Sequence, residues 1–212
     1  MPEIVRGDGS AYASACSGAL IDPQWIILAG HCVHDGDRNR ISGEPHYPIT
    51  ATVGQATRSG SAGATVDVVH VAQHDAVDVA IGELAAPVAD VAPIPIASAA
   101  PEPGEAVRLV GWGASDAGQT VLDRPDRMQT GEMIVSRVDT ELTFIRASEP
   151  EAKTSACPWD SGAPYFTEGA DGTVELVATV VDGPACPHGE EESAARADVL
   201  GPWIAEHTST VS

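Results

Sequence analysis

Three short segments of the 212-residue chain carry side chains suited to acyl transfer. Residues 16–34 read CSGALIDPQWIILAGHCVH, residues 74–84 read HDAVDVAIGEL, and residues 157–164 read CPWDSGAP. They offer a histidine beside a cysteine, an acid entering an apolar run, and a serine in a glycine-containing turn next to another cysteine. A serine hydroxyl is a weak nucleophile until a neutral imidazole accepts its proton, and the imidazole needs a buried carboxylate to fix its tautomer. His31, Asp78 and Ser161 supply these groups, and separations of 47 and 83 residues leave their assembly to tertiary structure. Asp75 competes with Asp78. The run Val79, Ala80, Ile81 draws Asp78 inward as a strand would, where a carboxylate needs a partner, whereas Asp75 reads as a surface acid.

Metal chemistry is the competing use of these residues. His31 with His34, and His70 with His74, have spacings that can chelate, but no His-Glu-x-x-His run exists and the second pair flanks a strand end. No metal and no cofactor is expected. The four cysteines, Cys16, Cys32, Cys157 and Cys186, contain no CxxC pair and allow three pairings. Two local disulfides, 16–32 and 157–186, are favoured, each worth about 3 kcal/mol through loop closure. Disulfides imply an oxidising setting, so a secreted protein is expected.

The elements that must position these groups are short. With 21 glycines, 16 prolines, 20% charged residues and a single lysine, long surface helices are disfavoured and turn-rich β structure is favoured. Strands are predicted over 17–21, 25–29, 49–53, 65–71 and 77–84, and then over 106–111, 131–138, 141–147, 162–166 and 174–181. Asp22 and Pro23 mark a turn between the first two. The proline-rich stretch from Ala85 to Gly104 reads as an extended connector, dividing the chain into 1–95, carrying His31 and Asp78, and 96–212, carrying Ser161. Residues 193–208 form the one helix candidate, with Gly201 and Pro202 moving its start toward Pro202.

Thirty-one acids against eleven basic residues give a net charge of -20. That excludes the cationic footprint needed for nucleic acid and electrostatic attachment to anionic lipid. Residues 1–10 lack a signal-peptide pattern, and no apolar stretch is long enough to span a bilayer. A monomer acting on a protein or peptide is expected.

In combination the segments resemble the chymotrypsin-fold (trypsin-like) serine proteases of the secreted bacterial kind. Residues 17–32 match the family block that ends alanine-alanine-histidine-cysteine, with Ala29 kept and Gly30 in place of the second alanine. DVAIGEL matches the block of the orienting acid, CPWDSGAP that of the nucleophile, and GWG at 111–113 and ARADVLGPWI at 195–204 two further signatures. The resemblance implies His31 as base, Asp78 as orienting acid and Ser161 as nucleophile. It also implies disulfides Cys16–Cys32 and Cys157–Cys186, and an all-β fold of two antiparallel six-stranded barrels with a C-terminal helix. The backbone N–H groups of Trp159 and Ser161 would form the oxyanion hole, with Asp160 as a buried acid.

Several positions depart from the family. Trp159 stands where glycine is usual, Ala163 replaces a second glycine, and Val181 replaces a serine whose hydroxyl supports the acid. Ile4 and Val5 look like the family's cleaved start, whose amine would pair with Asp160, although only eleven residues separate Ile4 from Cys16. Counting along the family pattern puts Ser155 at the base of the substrate pocket, Asp182 and Gly183 on its wall, and Glu192 opposite. If the run Glu190 to Glu192 is only a solvated loop, that count fails. The function implied is peptide-bond hydrolysis through an acyl-enzyme. The alternatives are a protease-like binding protein of little activity and an esterase using the same triad.

Overall fold

The computed structural model describes residues 3–148 and 151–209, so the outermost ends of the two expected units, 1–2 and 210–212, lie outside the described residues. β1 (Glu3–Val5) and β2 (Ala11–Ala13) pair as a separate two-stranded sheet, with Ile4 opposite Tyr12. Five strands then form one antiparallel sheet: β3 (Ala19–Asp22), β4 (Trp25–Ala29), β5 (Thr50–Val53), β6 (Ala64–Gln73) and β7 (Val79–Leu84), in the order β3-β4-β7-β6-β5. At the β3–β4 turn Pro23 presets φ, and the Asp22 carboxylate accepts the Gln24 N–H at 3.0 Å.

β4 is apolar on both faces because the sheet has core on both sides. Trp25 and Ile27 join Val79, Ile81, Leu176, Leu200 and Ile204 in one cluster, while Leu28 joins Leu20, Val33, Val68 and Val71 in another. The first cluster fastens the sheet to the rest of the molecule. At about 25 cal/mol per Å² of apolar surface removed from water, each fully covered Ile or Leu there contributes about 2 kcal/mol.

The second half is a closed barrel of β8 (Ala106–Gly111), β9 (Gln129–Val138), β10 (Leu142–Ala147), β11 (Pro164–Glu168), β12 (Val174–Asp182) and β13 (Glu192–Arg196), in the order β10-β13-β12-β11-β8-β9. Its interior alternates large with small residues, Met133, Ile145 and Tyr165 against Ala163, Ala178 and Ala194, which fits a tapering lumen. The helix α1 (Gly201–Thr208) begins with Pro202 in its first turn, where a missing N–H is harmless.

Two expectations are corrected. The N-terminal half is an open five-stranded half-barrel rather than a second six-stranded barrel. Neither segment available for closure supplies the sixth strand. β1 is three residues long and pairs only with β2, and residues 33–49 carry Pro45, Pro48 and the left-handed Arg38 and Gly43, making only the isolated bridges His34–Arg40 and Gly43–Val71. Residues 193–196, expected as part of the 193–208 helix candidate, instead belong to β13, which pairs with both β10 and β12. Closing the barrel outweighs the intrinsic helix propensity of Ala194 and Ala195, which tertiary pairing readily overrides.

Candidate active site

His31 sits on a 3-10 turn, Gly30–Cys32, that directly follows β4. Because Ala29 pairs with Val79, the residue before β7 falls opposite that turn. The Gly30 N–H donates to the Asp78 carbonyl at 3.0 Å, and the Asp78 side chain folds back onto His31. Its Oδ2 lies 2.6 Å from His31 Nδ1, and its Oδ1 accepts the His31 backbone N–H at 2.9 Å. The carboxylate thereby holds the ring proton on Nδ1 and leaves Nε2 as the acceptor. Burial pushes the Asp78 carboxyl up, but the hydrogen bonds and charge of His31, with a hydrogen bond from Arg40, outweigh it and hold the group below the usual aspartate range. Asp75 is exposed.

The Ser161 loop is shaped by its own backbone. The Asp160 N–H bonds to the Cys157 carbonyl at 2.9 Å and the Ala163 N–H to the Asp160 carbonyl at 2.7 Å, while the disulfide Cys157–Cys186 anchors the loop to the strand-end segment opposite. Gly162 has φ +82, and a Cβ there would lie 2.5 Å from the Ser17 carbonyl oxygen and 2.6 Å from the Ala29 nitrogen. The glycine therefore lets the loop lie against the end of β4. Cys32, one residue from His31 and bonded to Cys16, has its Sγ 3.7 Å from the Ser161 carbonyl oxygen. Among the described residues no hydrogen bond joins the Ser161 hydroxyl to His31.

Trp159 has φ +74, the left-handed backbone that glycine takes without strain. Its ring faces Arg124, whose guanidinium carbon is 5.7 Å from the ring centroid, and it is absent from the lining of the adjacent pocket. Among the described residues no protein acceptor takes the N–H of Trp159 or of Ser161. Asp160 is buried, and its carboxylate accepts the Gly113 N–H at 2.7 Å and the Cys157 N–H at 3.0 Å. Burial raises it to about 6, against the pull of those donors and Arg124. The expected Ile4–Asp160 pair needs the free amine that cleavage before Ile4 would create; in the uncleaved chain Ile4 is linked to Glu3 and lies in the β1–β2 ladder opposite Tyr12.

A pocket of about 320 Å³ opens beside Ser161, lined also by Ala156, Val181, Asp182, Gly183 and Glu192. Ser155 is not in that lining, and its hydroxyl instead accepts the His188 N–H at 3.2 Å. Glu192, only 1% exposed at the start of β13, accepts the Tyr165 hydroxyl and, at 2.9 Å, the Ala156 N–H. It is not part of a solvated loop. Burial pushes its carboxyl to about 7, with the charge of Asp160 adding to the rise. His188 Nδ1 accepts the Glu190 N–H, leaving Nε2 3.6 Å from Glu192.

Residue-type reasoning missed Ser17, Arg40, Tyr165 and His188. Ser17 clamps the Ser161 loop, its N–H on the Ser161 carbonyl at 3.0 Å and its hydroxyl on the Trp159 carbonyl at 3.1 Å. Only its place beside Cys16 could have hinted at this.

With this geometry established, comparison with known proteins identifies the class. Residues 4–204 match the Trypsin family, and the chain belongs to it. Among curated proteins it is 28% identical, over 81% of its length, to the protein named putative peptidase Cgl1093 of Corynebacterium glutamicum ATCC 13032, and 27% identical over the same share to an uncharacterized peptidase of Corynebacterium glutamicum strain R. It is 26% identical over 73% of its length to the snake venom serine protease HS114 of Bothrops jararaca. The chain spans 56% of the length of each bacterial relative and 63% of the venom protein.

Proposed function

We propose that the chain is a serine endopeptidase in which His31, Asp78 and Ser161 act as the triad. The observation that carries this is the 2.6 Å contact of His31 Nδ1 with Asp78, on a turn against which the Ser161 loop packs. His31 Nε2 takes the Ser161 proton as the hydroxyl oxygen attacks the peptide carbonyl, and Asp78 stabilises the imidazolium so formed. The N–H groups of Trp159 and Ser161 receive the oxyanion, each such donor being worth about 3 kcal/mol in the transition state. His31 then protonates the leaving amine and activates water to hydrolyse the acyl-enzyme. The hydroxyl–imidazole hydrogen bond is commonly long in unliganded sites and tightens when substrate arrives.

The pocket suits a side chain of moderate size beside a titrating carboxylate. Ionised Glu192 favours Lys or Arg before the scissile bond, and neutral Glu192 favours apolar residues. The two disulfides, which form and persist in an oxidising compartment, support a secreted protein, and a monomer organised as units 1–95 and 96–212 completes the proposal. A fluorophosphonate probe should modify Ser161, with labelling abolished in Ser161→Ala and sharply reduced in His31→Ala. Equal labelling of parent and both variants overturns the assignment. Trp159 favours a second reading, a protease-like binding protein, and an esterase is a third. Turnover of peptide amides separates the first reading from both, and turnover of esters alone selects the third.

A further inference from the structure

The surroundings of Asp78 are built from residues that the triad reading does not use. One carboxylate oxygen serves His31 Nδ1, while the other, Oδ1, meets Nη1 of Arg40 at 3.2 Å as well as the His31 backbone N–H. Arg40 is fixed in place by further bonds. Its Nη1 also donates to the Val77 carbonyl at 3.2 Å and its Nη2 to the His74 carbonyl at 3.1 Å, so the guanidinium spans the backbone leading into β7. Its own backbone is tied to His34 by a β-bridge. On the other side Gln73 Nε2 donates to the carbonyls of Gly30 at 2.9 Å and Val33 at 3.0 Å, holding the turn that carries His31.

These side chains converge where Gly30 has none. A Cβ at Gly30 would stand 2.6 Å from Gln73 Oε1, 2.7 Å from Asp78 Oδ1 and 2.9 Å from Arg40 Nη1, distances that force something to move. No positive φ accounts for this glycine, so space rather than backbone conformation is what it provides.

We propose that Arg40 is the positioning residue of Asp78, and that the position before His31 is glycine because a methyl group there would drive Arg40 away from the carboxylate and Gln73 off the turn that carries His31. The inference rests on reading His31, Asp78 and Ser161 as the triad. Arg40 acts through Asp78 and not on substrate. A carboxylate held only by the imidazole can rotate about its terminal bond. With a guanidinium and a backbone N–H on Oδ1, its plane is set and Oδ2 is directed at Nδ1. Lysine would keep the charge but not the set of directed N–H bonds.

The test compares Arg40→Met, Arg40→Lys, Gly30→Ala and the double variant Gly30→Ala/Arg40→Met in the full chain. Readouts are kcat and KM on a peptide amide and the far-downfield proton resonance of the His31–Asp78 hydrogen bond. Loss of one charge-assisted bond should lower kcat about tenfold in Arg40→Met with KM unchanged. The downfield resonance should broaden or vanish, and Arg40→Lys should recover part of both losses. Gly30→Ala should be at least as damaging in the parent and should cost less once Arg40 is gone, the part that remains coming from its contacts with Gln73 and Asp78. Parent-like kcat and resonance in Arg40→Met, or fully additive effects of the two substitutions, overturn the inference. A parent that shows the resonance but neither turns over substrate nor accepts the fluorophosphonate probe sinks the triad reading instead, and the resonance in Arg40→Met still decides whether Arg40 positions Asp78.

Discussion

Replacing Glu192 with glutamine should change how stability depends on pH more than it changes stability at any single acidic pH. The carboxyl is 1% exposed and raised from 4.5 to about 7 by burial. A group whose folded value lies above its unfolded value binds its proton more tightly in the native state. Its stabilisation is therefore fully present below pH 4.5 and is lost as pH rises through about 7. At about 1.4 kcal/mol per decade, the span amounts to about 3 kcal/mol. Asp160, raised from 3.8 to about 6, acts in the same direction over an overlapping range but is present in both proteins, so the comparison isolates Glu192. Glutamine mimics the protonated acid by accepting the Ala156 N–H without acquiring charge. Urea unfolding followed by tryptophan fluorescence at pH 4.5, 6, 7 and 8, disulfides intact, should give nearly equal stabilities at pH 4.5. By pH 8 Glu192→Gln should be the more stable by about 3 kcal/mol. A difference that stays constant from pH 4.5 to 8 would refute the burial argument.

Three further outcomes follow from the same geometry. On peptides with Arg, Lys, Phe or Leu before the scissile bond, the preference of the parent for basic residues should grow between pH 6 and 8 as Glu192 ionises near 7, and Glu192→Gln should show no such growth. Trp159→Gly should be about 1 kcal/mol more stable than Trp159→Ala, because φ +74 strains alanine and not glycine; equal urea midpoints would contradict that backbone conformation. Gly162→Ala should lose about 3 kcal/mol or more and most probe labelling, since its methyl would meet the Ser17 carbonyl at 2.5 Å in a left-handed position, and a variant of parental midpoint would contradict the packing.

What the chain determines locally is legible without a structure. Strand β8 falls on Ala106–Gly111 as its apolar run indicates, because a strand within a barrel needs little beyond alternation and flanking turns. The same holds for β4 and for the helix start at Gly201–Pro202, where β-branched and aromatic content or a proline specifies the conformation by itself. Residue types also marked His31, Asp78 and Ser161 as groups able to do chemistry, since few other side chains activate a hydroxyl. Whatever depends on which segments meet lay beyond the sequence. The N-terminal sheet stays open because the β1 ladder is short and the stretch 33–49 is broken, and residues 193–196 became a strand because β10 and β12 stood ready to pair with them. Glu192 lies buried among Tyr165, Ala156 and His188 rather than in solvent because the barrel, and not the glutamate run, sets its surroundings. Arg40 had no readable signal at all, since its bonds to Asp78, Val77 and His74 span 34 to 38 residues and exist only once β4 and β7 are side by side.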